Sequence, residues 1–123
     1  EYDLLIGVDS SSKMRLAISD EDFDKAKKVL MIDHHVIDKT YGDVCCIEPL
    51  KPATCEIMYN FITSMNIEMD KDIASYLYLG IVTDTGSFNY SSTLPSTLNI
   101  AAKLIETGID FSYICQKVNH TMK

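Results

Sequence analysis

Apolar and polar positions fall in blocks along this chain, and the blocks predict its elements. Tyr2 to Val8 is dominated by Leu4, Leu5, Ile6 and Val8 and reads as a strand that stops at Asp9. Val29 to Ile32 repeats the design and stops at Asp33-His34-His35. The continuous apolar run of Val29 to Ile32 marks a strand buried on both faces. Between them, Ser10-Ser11-Ser12 reads as a polar loop. Ser19-Asp20-Glu21-Asp22 then starts a short helix through Lys28, with acidic residues at its positive pole and Lys25, Lys27 and Lys28 at the other. Strand, helix, strand is the βαβ order, which favours a parallel sheet with a right-handed crossover. After a loop containing Gly42, Val44-Cys45-Cys46-Ile47 predicts another short strand.

Pro49 and Pro52 punctuate the approach to a helical stretch. Thr54, Ile57, Met58, Phe61, Ile62 and Met65 follow helical spacing and give one apolar face, read as core. Asp70 is a good N-cap for a helix from Lys71. From Ile73 to Val82 that helix is apolar nearly all round, which predicts a buried central element. Thr83-Asp84-Thr85-Gly86-Ser87-Phe88 follows it, and Asn89 to Thr93 is a polar loop. Pro95 opens a further helix with Leu98, Ala101, Ala102 and Ile105 as its buried stripe and Gly108 as its stop. Asp110 caps a last helix with Phe111, Ile114, Cys115 and Val118 facing inward, and His120 is expected in a solvent-exposed tail. The fold class expected is α/β, a parallel sheet flanked by helices, with residues 1–123 forming a single domain.

The chemistry gathers where apolar elements end. Open α/β sheets place their sites just beyond the carboxyl ends of the strands, where Asp9 and Asp33-His34-His35 fall. Carboxylate oxygen and imidazole nitrogen together suit divalent transition metals. On residue types alone the same stretch also serves as a polar strand end with histidines facing water. Asp84 is the third candidate, since a carboxylate directly after a buried helix is costly unless paired or bound to a cation, the other reading being a cap of the following turn. Gathered at one sheet edge, these groups suit two divalent ions with one carboxylate bridging. A glycosidase-like pair of carboxylates is a competing use that leaves the histidines idle. A serine or cysteine hydrolase fits less well, as no nucleophile elbow is present.

Composition narrows the classes. A chain of 123 residues with 46% hydrophobic content can bury a real core. No apolar run approaches the roughly 18 residues of a membrane span, and no signal peptide opens the chain. Eleven basic against 18 acidic residues give a net charge of −7, which argues against a duplex-DNA surface but not against a small anionic substrate met through cations. Cys45, Cys46, Cys55 and Cys115 show no CxxC pair, so reduced thiols in a cytoplasmic protein are expected, none of them a nucleophile. The chain starts on Glu1 with a strand already under way, which suggests a cut from a longer protein.

With these residues in view, VDSS (Val8–Ser11), IDHH (Ile32–His35) and GIVTDTGSF (Gly80–Phe88), followed by NYSSTLP, together resemble the DHH family of phosphoesterases. The likeness runs from about Leu4 to the C-terminal helices. It is strongest to the bacterial oligoribonucleases (nanoRNases) that also act on 3′-phosphoadenosine 5′-phosphate. The resemblance implies an incomplete DHH N-terminal domain with two Mn²⁺ ions in the complete protein, Mg²⁺ being the alternative. It implies Asp9 as the carboxylate bridging both ions, and His34 and Asp84 as ligands of the second ion. His35 would lie beside the scissile phosphate and bind substrate. Asp33 would orient an imidazole, as carboxylates do around metal-bound histidine. The family's first motif, a His with two Asp on an earlier strand, has no counterpart here. Its C-terminal substrate domain has none either, and Asp38 stands where relatives commonly carry Asn.

The implied partner is a short oligoribonucleotide or a nucleotide bisphosphate, with no duplex DNA and no membrane. Other branches of the family act as pyrophosphatases, exopolyphosphatases or cyclic-dinucleotide phosphodiesterases, and a nucleotide-sensing module without catalysis is an alternative of another class. With part of the ligand set present, weak or single-ion binding and little turnover are expected of this chain by itself. An unpaired sheet edge where the earlier strand would lie predicts a homo-oligomer.

Overall fold

In the computed structural model, which describes residues 1–121, the apolar runs become strands β1 (Tyr2–Val8), β2 (Ala26–Asp33) and β3 (Val44–Ile47). They form one parallel sheet in the order β1-β2-β3. Leu4 lies beside Lys28 and Val8 beside Ile32, and on the other side of β2 Leu30 pairs with Val44 and Asp33 with Ile47. The parallel sheet and the α/β class follow the sequence reading. Met31, Ile32 and Asp33 on the central strand are fully buried. Asp43 bonds β2 twice, its backbone N–H donating to the Val29 carbonyl and its carboxylate accepting from the Val29 N–H, each at 2.8 Å.

One boundary departs from expectation. Helix α1 (Asp20–Asp24) stops four residues before Lys28, and Ala26 to Lys28 belong to β2. Ser19 caps α1, accepting from the Asp22 N–H at 3.1 Å. Of the basic residues read as a helix terminus, Lys25 is the C-cap of α1, its Nζ 2.9 Å from Asp22, while Lys27 and Lys28 lie on β2. Lys27 reaches Asp3 on β1 at 3.0 Å, an exposed pair worth little in stability but possible only in the strand register. The loop after Asp9 also holds a short 3₁₀ turn at Lys13–Leu16.

Residues Glu1–Pro49 make one compact unit and those from Leu50 onward a second. The second is helical: α2 (Thr54–Ser64), α3 (Lys71–Asp84), α4 (Pro95–Glu106) and α5 (Phe111–Thr121). Its core joins Leu77, Tyr78, Ile81 and Val82 of α3 to Ile100, Ala101 and Leu104 of α4 and Val118 of α5. Fully burying a side chain such as Ile81 or Leu104 is worth about 1.5–3 kcal/mol. Asp70 caps α3, accepting from the Ile73 N–H at 2.8 Å, and Asp110 accepts from the Tyr113 N–H at 3.1 Å. Burial and the adjacent Cys115 thiol push the Tyr78 phenol well above its ordinary range.

Several predicted faces shift. Helix α3 is not buried all round, since Tyr76 and Leu79 are exposed. The buried stripe of α4 is Thr97, Ile100, Ala101 and Leu104, with Leu98 and Ala102 outward. Met65 and Phe111, expected inside, are exposed. The phase of α4 is set by polar contacts. Glu56 of α2, with no exposed surface, accepts hydrogen bonds from Ser96 and, at 2.8 Å, from Thr97, with Lys51 at 3.5 Å. Turning Thr97 inward to meet that carboxylate carries Ile100 and Leu104 into the core with it. Thr97 also accepts from the Leu94 N–H at 3.2 Å, which satisfies a donor the start of the helix leaves open.

His120 is helical and exposed, and all four cysteines are free thiols. Among the described residues no helix is long and apolar enough to cross a membrane.

Candidate metal centre

Asp9 follows the last residue of β1. Its N–H still donates to the Ile32 carbonyl of β2 at 2.9 Å, while its φ of 55° lies in the left-handed region. Asp tolerates that conformation better than most residues do. The strand therefore ends by presenting a half-exposed carboxylate toward the end of β2. There Asp9 Oδ1 lies 3.6 Å from His34 Nε2 and 3.7 Å from His35 Nδ1.

Asp33, the last residue of β2, is fully buried. Its Oδ1 accepts the backbone N–H of His34 at 2.7 Å and that of His35 at 3.0 Å, and sits 2.6 Å from His35 Nδ1. Three contacts on one oxygen fold the two residues after the strand back over the carboxylate. With Nδ1 of His35 directed to Asp33, its Nε2 is left for other partners. The two imidazole centroids stand 4.6 Å apart at 52°.

Asp9, Asp33, His34 and His35 each offer a ligand atom, and these atoms all lie within 4.8 Å of one another. The second oxygen of Asp33 is buried and finds no hydrogen-bond partner among the described residues. A buried carboxylate oxygen without a donor is costly, and a cation is one way to satisfy it. The donor set, carboxylate oxygen with imidazole nitrogen, fits a divalent transition metal.

Asp84 belongs to the second unit, as the exposed last residue of α3. The segment after it is held unusually: Gly86, Ser87 and Phe88 have φ of 57°, 57° and 66°. Two non-glycine residues in that region cost on the order of 1–3 kcal/mol each. Thr85, fully buried, stabilises the turn by donating to the Ile81 carbonyl at 2.6 Å and accepting from the Phe88 N–H at 3.0 Å. At Gly86 a Cβ would collide with the ring of Tyr90 as well as meet the positive φ. Sequence reasoning found Gly86 but missed Thr85, whose hydroxyl no periodicity singles out.

Tyr41 is a second functional candidate the sequence reading missed. Its hydroxyl donates to the Ser10 carbonyl at 2.9 Å, which ties the loop after β2 to the residue beside Asp9. Burial, with Asp33 and Cys45 adding to it, pushes its phenol pKa up, so the donor keeps its proton across the neutral range. Gly7 makes room for this ring, since a side chain there would strike the Tyr41 hydroxyl.

Fold and cluster together define an α/β protein with a metal-type donor set at the carboxyl ends of adjacent parallel strands. The chain belongs to the DHH family, whose N-terminal domain matches residues 2–81. It is 30% identical over 115 residues to the bifunctional oligoribonuclease and PAP phosphatase NrnA of Thermus thermophilus, covering 93% of this chain and 34% of that protein. It is 33% identical over 120 residues to the protein of that name in Mycoplasma genitalium, covering 96% of this chain and 38% of the relative. Its backbone is similar to the crystal structure of an exopolyphosphatase-related protein from Bacteroides fragilis. That match has a TM-score of 0.81 at 28% identity and covers 94% of this chain and 35% of the other. The chain thus spans between a quarter and two fifths of the length of relatives such as these.

Proposed function

We propose that this chain is the metal-binding part of a cytoplasmic phosphoesterase. Its substrate would be short oligoribonucleotides, 3′-phosphoadenosine 5′-phosphate, or both. The observation that carries this reading is the cluster of Asp9, Asp33, His34 and His35, with ligand atoms within 4.8 Å of one another and one buried carboxylate oxygen lacking a donor. The names of the NrnA relatives supply the substrate class. Asp9 and His34 would hold the metal, Mn²⁺ by preference. When bound, divalent ions supply an activated water and offset charge on the phosphoryl oxygens. His35, aligned through Nδ1 by Asp33, presents Nε2 to hydrogen-bond a substrate phosphate oxygen. Asp33 acts through that imidazole and is a positioning residue.

The test is hydrolysis by the gene product that carries these residues. Diadenylate should be cleaved with Mn²⁺, and His34→Ala should lower the rate by more than 100-fold, while the 123-residue chain alone turns over little. Absence of any Mn²⁺-dependent phosphoester cleavage overturns the proposal. Preference for inorganic polyphosphate favours the second reading, to which the exopolyphosphatase-related structure points.

Self-association belongs to the same reading. β1 is an edge strand, and Tyr2, Leu4, Ile6 and Val8 form an exposed apolar row along one face of it. Sedimentation velocity at rising concentration should show a growing dimer fraction, and a monomer throughout would exclude it.

A further inference from the structure

In the same compact unit as the cluster, the loop after β1, helix α1 and the loop after β2 line an open pocket of about 520 Å³. Roughly 300–1,000 Å³ is the range of small-molecule sites. Its walls mix two chemistries. Phe23 and Tyr41 stand edge to face, centroids 6.4 Å apart at 70°. Lys13 and Lys39 line the same space, two cations in a chain of net charge −7. Lys13 is anchored, its Nζ 4.3 Å above the Phe23 ring and 2.9 Å from Asp20.

Met14 also lines the pocket yet is 94% exposed, the most exposed large apolar side chain among the described residues. Core packing does not account for it. A methionine at the lip of a cavity is suited to an apolar ligand, because its flexible, polarisable thioether adapts to the surface it meets. The cavity is joined to the cluster through the chain itself. Tyr41 forms one wall and donates to the carbonyl of Ser10, the residue next to Asp9.

A ligand suited to these walls offers a flat apolar surface and a negative charge for Lys39, and the Tyr41–Ser10 hydrogen bond ties its site to the residue next to Asp9. We propose that this cavity is a nucleotide subsite. It takes the base and phosphate of the nucleoside monophosphate unit next to the phosphoester that the cluster handles. The proposal rests on the phosphoesterase reading and deepens it: the chain would select a nucleotide over inorganic phosphate compounds. The base would lie against the aromatic pair and Met14, and Lys39 would meet the nucleotide's phosphate.

The experiment is a titration of the isotopically labelled 123-residue chain with adenosine 5′-monophosphate in Mg²⁺, followed by amide NMR. Signals of Met14, Phe23, Lys39 and Tyr41 should move together and saturate. Lys39→Ala, at an exposed position, should weaken binding at least fivefold, and Phe23→Leu should do the same while preserving apolar volume. Inorganic phosphate at equal concentration should leave the Phe23 and Tyr41 signals in place. The proposal is overturned if adenosine 5′-monophosphate moves none of these signals, moves only others, or is matched by inorganic phosphate. A parallel Mn²⁺ titration reads the metal separately, through broadening of the His34 and His35 ring signals. Broadening without nucleotide shifts defeats the subsite alone, whereas nucleotide shifts without broadening defeat the metal centre and leave the cavity as a nucleotide site.

Discussion

Asp33→Ala is expected to destabilise the chain by about 2–4 kcal/mol and to weaken its stabilisation by Mn²⁺. The carboxylate is wholly buried and its Oδ1 gathers the N–H groups of His34 and His35 and the Nδ1 of His35. Hydrogen bonds to a charged acceptor contribute roughly 1.5–3 kcal/mol each. Their sum is offset because the substitution also removes a buried oxygen, Oδ2, that has no hydrogen-bond partner among the described residues. Asp33→Asn keeps the shape and an acceptor and should cost about half as much. Urea unfolding with and without Mn²⁺ checks both parts. A ligand that binds only the folded state adds stability as its concentration exceeds Kd, so the wild-type midpoint should climb with Mn²⁺ and that of Asp33→Ala should climb less at the same Mn²⁺ concentration. An Asp33→Ala chain as stable as wild type would show that the carboxylate does not organise the strand end.

The parts that were legible in the sequence share one property: neighbours along the chain determine them. The apolar runs ending on Asp9 and Asp33 announce two strands whatever lies elsewhere, and Asp70 announces a helix start. Ala26 to Lys28 were misread because three lysines within four positions satisfy a helix C-terminus locally. Pairing with Tyr2 to Leu4 of β1, more than twenty residues away, decides for the strand. Glu56 was invisible for a similar reason. Within α2 it is one charged residue among apolar ones, and its burial makes sense only with Ser96 and Thr97 forty residues on. That contact in turn rotates α4, so the apolar stripe read from Leu98 and Ala102 came out one face away. At the site, Asp33-His34-His35 could be nominated from adjacency. The three contacts that organise it depend on a reversal of direction after β2 that no pattern of residue types encodes. The cavity lined by Lys13, Phe23 and Tyr41 is assembled from three separate segments and left no mark on periodicity.

At Asp9 backbone and side chain make separate demands, and three substitutions should separate them. Asp9→Asn keeps a side chain that accepts the left-handed φ of 55°, so stability should stay within about 0.5 kcal/mol. It removes the carboxylate that faces His34 and His35 at 3.6 and 3.7 Å. Loss of a residue that merely supports a metal ligand lowers affinity roughly 10–100-fold, so loss of a ligand should lower Mn²⁺ affinity by at least about 100-fold. Asp9→Ala should show the same loss of metal together with about 1–2 kcal/mol of destabilisation, because alanine has no local hydrogen bond to offset the left-handed strain. Asp9→Gly removes that strain and should recover most of the stability without recovering the metal. Counting free Mn²⁺ by electron paramagnetic resonance and melting each variant reads the two demands independently. If Asn bound Mn²⁺ as tightly as Asp, the residue would be a turn-former and the metal would have to be held by other donors. If Ala and Asn melted alike, the strained backbone at the end of β1 would be accommodated by its surroundings, and the position would be set by ligand chemistry alone.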